Sequence, residues 1–167
     1  MTSGRDVVII DTVRSPMGRG AAGGSLSTVQ PVALLAQTLR GLWDRVDTDP
    51  AEVDEVITGC VERIGERGAT IGRTAWLAAG LPAHVPSTTV ECGGGSSHQA
   101  VHFAAQGVMA GVYDVVVAAG IEAMSRVPSG LNLLGRHHGR PSMSRNCAPG
   151  LTSQGVAAEL KAQRWDI

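Results

Sequence analysis

An α/β fold with a mostly parallel sheet is the class this sequence predicts, and three observations predict it. Short continuous apolar runs alternate with longer stretches whose apolar residues recur at helical spacing. The breaks between them carry proline, glycine and charge. The stretch from Pro86 to Ser125 joins a β-rich run, a glycine cluster, a helical pattern and a second apolar run. That order is a βαβ unit, with two parallel strands beside a crossover helix.

The elements follow in order. Asp6–Thr12 (DVVIIDT) is a continuous apolar run, as expected of a strand buried on both faces. Pro16 ends it, and Met17–Ser27 is a glycine-rich loop. Pro31 suits a first helical turn, and Val32, Leu35, Ala36, Leu39 and Leu42 mark one helical face. After a polar break carrying Pro50, Val53–Val61 is a second strand, and Glu62–Ala69 is a charged loop. Thr70 is placed to cap a helix over Ile71–Leu81. Ser87–Val90 is the third strand. Gly93–Gly95 turns the chain into a helix marked by Val101, Ala104, Ala105, Val108, Met109 and Val112, and Val115–Ala119 is the fourth strand. Ser129–Gly150 has no period and is an excursion over the surface. Leu151–Trp165 resumes a helical pattern.

Composition narrows the function classes. The chain has 167 residues and a net charge of −1, so nothing argues for a polyanionic partner. With 22 glycines but one Phe and one Tyr, close backbone packing replaces an aromatic core. Three unevenly spaced cysteines argue against a disulfide framework and for a reducing compartment. No apolar run reaches membrane-spanning length and no secretory signal precedes the first strand, so the cytoplasm is the expected location.

Chemistry is expected at the glycine turn. Backbone N–H groups at a helix start are unpaired and favour negative charge, so they bind anions, steady an oxyanion or activate a thiolate. The glycines lack the Lys-Ser/Thr ending of a phosphate loop and the dinucleotide fingerprint. A turn with close backbone approach is the plainer reading. Cys60 reads as a small buried strand residue, and Cys147 as inert in an irregular segment. His137, His138 and Cys147 match no zinc spacing. His98 and His102 lie one helical turn apart and lack further ligands, so no metal site is expected. The arginines from Arg126 to Arg145 suit either a solvated loop or the phosphates of an anionic ligand.

Several stretches together resemble the thiolase family of acyl-CoA acyltransferases. Arg14-Ser15-Pro16 with Gly18 resembles its opening motif, and Gly59-Cys60-Val61 the end of its second strand. Gly72-Arg73 resembles a helix start in which Thr70 replaces an asparagine. Gln99-Ala100 resembles the helix behind the nucleophile. Gly120-Ile121-Glu122-Ala123-Met124-Ser125 with Pro128 matches its Gly-x-Glu-x-Met-Ser-x-x-Pro stretch, and Gln154-Gly155 with Ala158-Glu159 its loop-domain helix. The resemblance covers nearly all of this chain but less than half of a typical member.

The resemblance implies a thiolase-like βαβαβ half-domain over residues 1–128 and the start of an inserted, CoA-covering loop domain over residues 129–167. It implies that Glu122 and Met124 end a core strand near that loop domain. It also implies acetyl transfer between CoA thioesters: a cysteine at the start of the buried helix accepts the acyl group, and a histidine and second cysteine from the C-terminal half manage protons. The substrate is then a coenzyme A thioester, with no resident cofactor.

Aligned from Ser96-Ser97 and Ala100, the family's nucleophile position holds Gly94. Cys92 stands two residues earlier, where the family has arginine. On an extended strand it would sit roughly 6–7 Å back. Reacting atoms must approach to about 3–3.5 Å. Cys92 is therefore a candidate nucleophile only if the glycines let the turn refold. The C-terminal histidine and cysteine motifs are absent from the sequence. Three readings stand side by side. The chain is the N-terminal part of an enzyme completed by a complementary chain, a non-catalytic acyl-CoA-binding or partner-subunit module, or a relic. Because the organising helix is apolar nearly all round, it must be covered on both sides, and the chain is expected to self-associate or to take a complementary chain.

Overall fold

The computed structural model describes residues 5–134 and 154–167. It divides into two units, one up to Asn132 and one from Leu133 onward. The first holds a three-stranded, all-parallel sheet: β1 is Glu55–Gly59, β2 is Ser87–Val90 and β3 is Val116–Gly120. The order is β2-β1-β3, with Ile57 opposite Thr88 on one side and Ala118 on the other.

β1 is central and nearly solvent-free, and its alternation divides the core. Val56 joins the cluster formed with α1 (Pro31–Trp43) and α2 (Ile71–Ala78), where Leu35, Leu39, Ile71, Trp76 and Val85 pack together. Ile57 faces the other way, against Ala100 and Ala104 of α3 (Ser96–Met109). Successive strand residues thus serve opposite helix layers. Proline at the start of α1 gives up no needed hydrogen bond there. Gly72 lets α2 sit close on the sheet, since a Cβ there would fall 2.2 Å from Thr58 Oγ1. Trp76 is fully buried, meets Trp43 edge-on at 5.3 Å, and satisfies its indole N–H on the Pro82 carbonyl at 2.8 Å.

Two expectations need correction. Residues 6–12 are not a strand buried on both faces. The run continues straight, without turn or bend, but joins no ladder, and Val8, Ile9 and Ile10 are 78%, 74% and 66% exposed. An apolar run is buried only where neighbours flank it, and among the described residues a cleft separates this run from β3. Second, α2 ends at Ala78, short of Leu81, and the Thr70 side chain makes no capping bond. Gly80, at φ +81°, ends the turn that follows. The charged loop 62–69 contains the 3-10 turn Gly65–Arg67, and both Glu62 and Arg67 are buried.

In the second unit, α4 spans Gln154–Trp165, slightly shorter than the expected helix, and the Arg164 guanidinium lies 5.3 Å from the Trp165 ring. The expected roles of Arg136, His137, His138, Arg140, Arg145 and Cys147 fall outside the described residues. No described helix is long and apolar enough to cross a membrane.

Candidate functional site at the start of α3

The turn between β2 and α3 is seated on two glycines. Gly59 and Gly120 are partners across the β1–β3 pair. A Cβ on Gly59 would fall 2.4 Å from the Ser96 carbonyl carbon, and one on Gly120 would fall 2.0 Å from Ser97 Oγ. The start of α3 therefore rests directly on the C-terminal ends of both strands, with no side chain between. Behind it, the Cys60 amide still donates to the Val90 carbonyl at 3.1 Å.

The turn itself is wound, not extended. Gly93 adopts φ +51°, a conformation glycine tolerates freely. The Gly95 amide donates to the Cys92 carbonyl at 3.0 Å, and the Ser96 amide to Gly93 at 3.1 Å. Buried Ser96 ties the turn together: its hydroxyl accepts from the Cys92 amide at 2.9 Å and donates to the Gly93 carbonyl at 2.7 Å. Glu91 accepts from the Gly93 amide at 2.6 Å.

This winding changes the position of Cys92. The extended path predicted from sequence is replaced by a reversal that leaves Cys92 Sγ 3.9 Å from where a Cβ on Gly95 would stand. The thiol is exposed. Gly94 also faces open space: a Cβ there would meet nothing within 4 Å. His98 and His102, on the first turns of α3, are both exposed. Among the described residues, no three His, Cys, Asp or Glu side chains cluster as a metal site.

A second cluster braces the chain where it leaves β3, and sequence reasoning missed its core. Buried Arg67 pairs with Glu122 and donates to the Val127 carbonyl at 2.8 Å. Glu122 accepts from the Val61 amide at 2.8 Å. Buried Glu62 accepts from the amides of Gly130 and Asn132 at 2.6 and 2.9 Å. Arg126 pairs with Glu66 and reaches the Ser27 carbonyl at 2.9 Å. Burial pulls the Arg67 guanidinium below its ordinary range. Burial also pushes the nearby Cys60 thiol up, against the opposing pull of Arg67 and Arg63, which makes Cys60 a protonated core residue and a poor nucleophile. Glu122 thus acts as a brace between the loops after β1 and β3. Periodicity carries no signal for Arg67 or Glu62, because their partners lie far away in sequence.

Two clefts accompany this frame. One, of about 360 Å³, lies between α3 and β2 and is lined by Phe103, Val90 and Tyr113. The other, of about 310 Å³, runs along the outer edge of β3. Neither is lined by Cys92 or Gly94.

Residues 7–167 match the family description "Thiolase, N-terminal domain". This chain belongs to the thiolase family. It is 42% identical over 170 residues to a steroid 3-ketoacyl-CoA thiolase of Mycobacterium tuberculosis, a match that covers 97% of this chain and 41% of that protein. A 3-ketoacyl-CoA thiolase of Pectobacterium carotovorum is 38% identical, covering 96% and 41%. Among solved structures, an acetyl-CoA acetyltransferase of Bacillus anthracis superposes with a TM-score of 0.58 at 42% identity, over 64% of this chain and 27% of that one. The chain thus spans about two fifths of the length of the curated thiolases it matches, and the match is to their N-terminal part.

Proposed function

We propose that this chain is the N-terminal half of a thiolase-type acyl-CoA acyltransferase and has no turnover on its own. The observation that carries the reading is the turn at the start of α3. Its scaffold is complete, with the glycine seat, the wound loop and the Ser96 brace, yet Gly94 brings no nucleophilic atom to the aligned position. The histidine and second cysteine that the family draws from its C-terminal half have no counterpart in this sequence. In this reading a complementary polypeptide covers α3 and completes the site, residues 129–167 open the CoA-covering loop domain, and the substrate is a coenzyme A thioester. The setting is a reducing compartment, the cytoplasm, in keeping with unpaired Cys60 and Cys92.

One observation favours a second reading. The wound turn draws the exposed Cys92 sulfur toward the helix start. In that case Cys92 takes the acyl group: its thiolate attacks the thioester carbonyl, a new S–acyl bond forms, and CoA leaves as its thiolate. The two readings part in a CoA-release assay with acetyl-CoA and the purified chain. The first predicts no release above the uncatalysed rate. A stoichiometric burst that is lost in Cys92→Ser supports the second, and steady turnover overturns the claim that the chain is inactive alone.

A further inference from the structure

The chain carries one Phe and one Tyr, and both line the same cleft, the one of about 360 Å³ between α3 and β2. Tyr113 is fixed there from two directions. Its ring lies against Gly107 of α3, where a Cβ would fall 2.2 Å from the ring carbon Cδ2, and its amide donates to the Gly107 carbonyl at 3.3 Å. Its hydroxyl donates to Glu55 Oε2 at 2.5 Å. That bond, aided by desolvation, raises the Tyr113 phenol above its ordinary range, so the phenol stays the donor and Glu55 the charged acceptor. Among the described residues, Glu55 Oε1 accepts no hydrogen bond, and no Lys, Arg or His pairs with this carboxylate. The rest of the lining is mainly apolar and includes buried Ile57 and the half-buried Val90.

An unpaired carboxylate beside two aromatic rings in an apolar cleft selects its ligand by charge. An anion is repelled by Glu55 and by Asp54 next to it in the chain. A neutral apolar molecule would cover Oε1 without bonding it, which costs the lost hydration of that oxygen. A metal ion needs more oxygen or nitrogen ligands, and no three His, Cys, Asp or Glu gather among the described residues. A primary ammonium on a short alkyl stem meets every condition. Its N–H groups donate to Oε1 in a charge-assisted bond, its charge is attracted to aromatic rings, and its methylenes leave water against Ile57, Val90 and Phe103. We propose that this cleft binds a small primary amine, with its ammonium group on Glu55 and its stem against the apolar lining. The inference goes beyond the acyl-transfer reading and does not depend on it, since neither Cys92 nor Gly94 lines the cleft.

The test titrates the full chain with n-butylammonium, n-butanol and butyrate, read by saturation-transfer NMR on the ligand, which tolerates self-association of the protein. The ammonium should bind about tenfold more tightly than the alcohol, the usual worth of a charge-assisted bond, and butyrate should not bind. Equal binding of alcohol and ammonium, or no binding of the ammonium, overturns the proposal. Glu55→Gln keeps an acceptor for Tyr113 and removes the charge, so the preference for the ammonium should vanish, and a preference that survives places the cation elsewhere and overturns it. Phe103→Leu, at an exposed position of α3, repeats the test without touching β1. About a threefold loss is expected from the missing ring, and no loss overturns its part in the site. Lysine capped at both ends separates the two sources of an alkylammonium. It should bind no better than n-butylammonium, and tenfold tighter binding would overturn the assignment to a free amine.

Discussion

Gly59 and Gly120 stand opposite each other across the β1–β3 pair, and the first residues of α3 rest on both. The candidate site depends on this contact, because a side chain at Gly59 would meet the backbone of the turn that leads from Cys92 and Gly94 into α3.

Alanine at these two positions is expected to act unequally. At Gly59 the new methyl meets Ser96 backbone at 2.4–2.6 Å, which cannot move without shifting α3. At Gly120 it meets the Ser97 side chain, whose hydroxyl can rotate away, leaving only the Ser97 Cβ at 2.9 Å to shift by a few tenths of an ångström. Gly59→Ala should cost about 2–3 kcal/mol and Gly120→Ala roughly half that, by the usual cost of overpacking. Urea denaturation of the two variants measures the difference, and equal costs would argue against a backbone seat at Gly59.

Gly94→Cys should be accepted without strain. Its Cβ enters open space and its φ is not positive. The expected stability change is within about 0.5 kcal/mol, as for surface sites free of special features. Alkylation by iodoacetamide followed by peptide mapping should find the new thiol fully reactive in the folded protein. A buried, unreactive thiol would show that the turn differs from the one described.

Arg67→Met should destabilise the chain by about 2–4 kcal/mol, because it strands the Glu122 carboxylate beside a buried frame. The lower bound reflects the 29% exposure of that carboxylate. Glu122→Gln, which keeps the acceptor oxygen for the Val61 amide, should cost less. Thermal unfolding of the pair gives the order, and the reverse order would remove Arg67 from the brace.

Asp11 takes a two-pronged bond from Arg45 at 2.7 and 3.1 Å, which ties the end of the 6–12 run and should be acid-sensitive. Hydrogen bonds from Arg45 and from the Thr12 amide hold the Asp11 carboxyl below its ordinary value. A depressed folded-state pKa contributes stability that is fully present above the unfolded value and is lost as pH falls through the lowered one. Release of residues 6–12 is therefore expected only below about pH 4, the unfolded range of aspartate. Limited pepsin cleavage at Val8–Ile10 across pH 2–5 reads it. In Arg45→Met the onset should move to higher pH, and an unchanged onset would show that the pair does not hold the run.

Much of this arrangement is legible in the sequence, and the exceptions share a cause. The helical period around α3 and the glycines beneath it are local patterns, so the βαβ frame can be read directly. The period also records that the outward residues of α3 are apolar, and Val101, Phe103 and Met109 are indeed exposed, as is Val112 just beyond the helix. The run at 6–12 misleads because apolarity announces a wish for neighbours without supplying them. Cys92 misleads because a rise per residue assumes an extended path, and Gly93 at positive φ folds it back. Arg67 and Glu62 are invisible to any local pattern, since their partners arrive only with the tertiary fold.

The exposed face of α3 has a consequence for the isolated chain. Such a surface should drive self-association, so light scattering is expected to give a mass above 17.2 kDa that rises with concentration. Phe103→Ser with Val112→Lys should lower it. A monodisperse monomer of the unaltered chain would mean that this face needs no cover.

The claim that the scaffold is present and the nucleophile is not has one direct test. The purified chain is incubated with acetyl-CoA, and its intact mass and tryptic map are recorded. The account predicts an unmodified mass, with both Cys92 and Cys60 recovered as free thiols. A single acetyl group mapped to Cys92 would contradict it and would make the wound turn an acylation site in its own right.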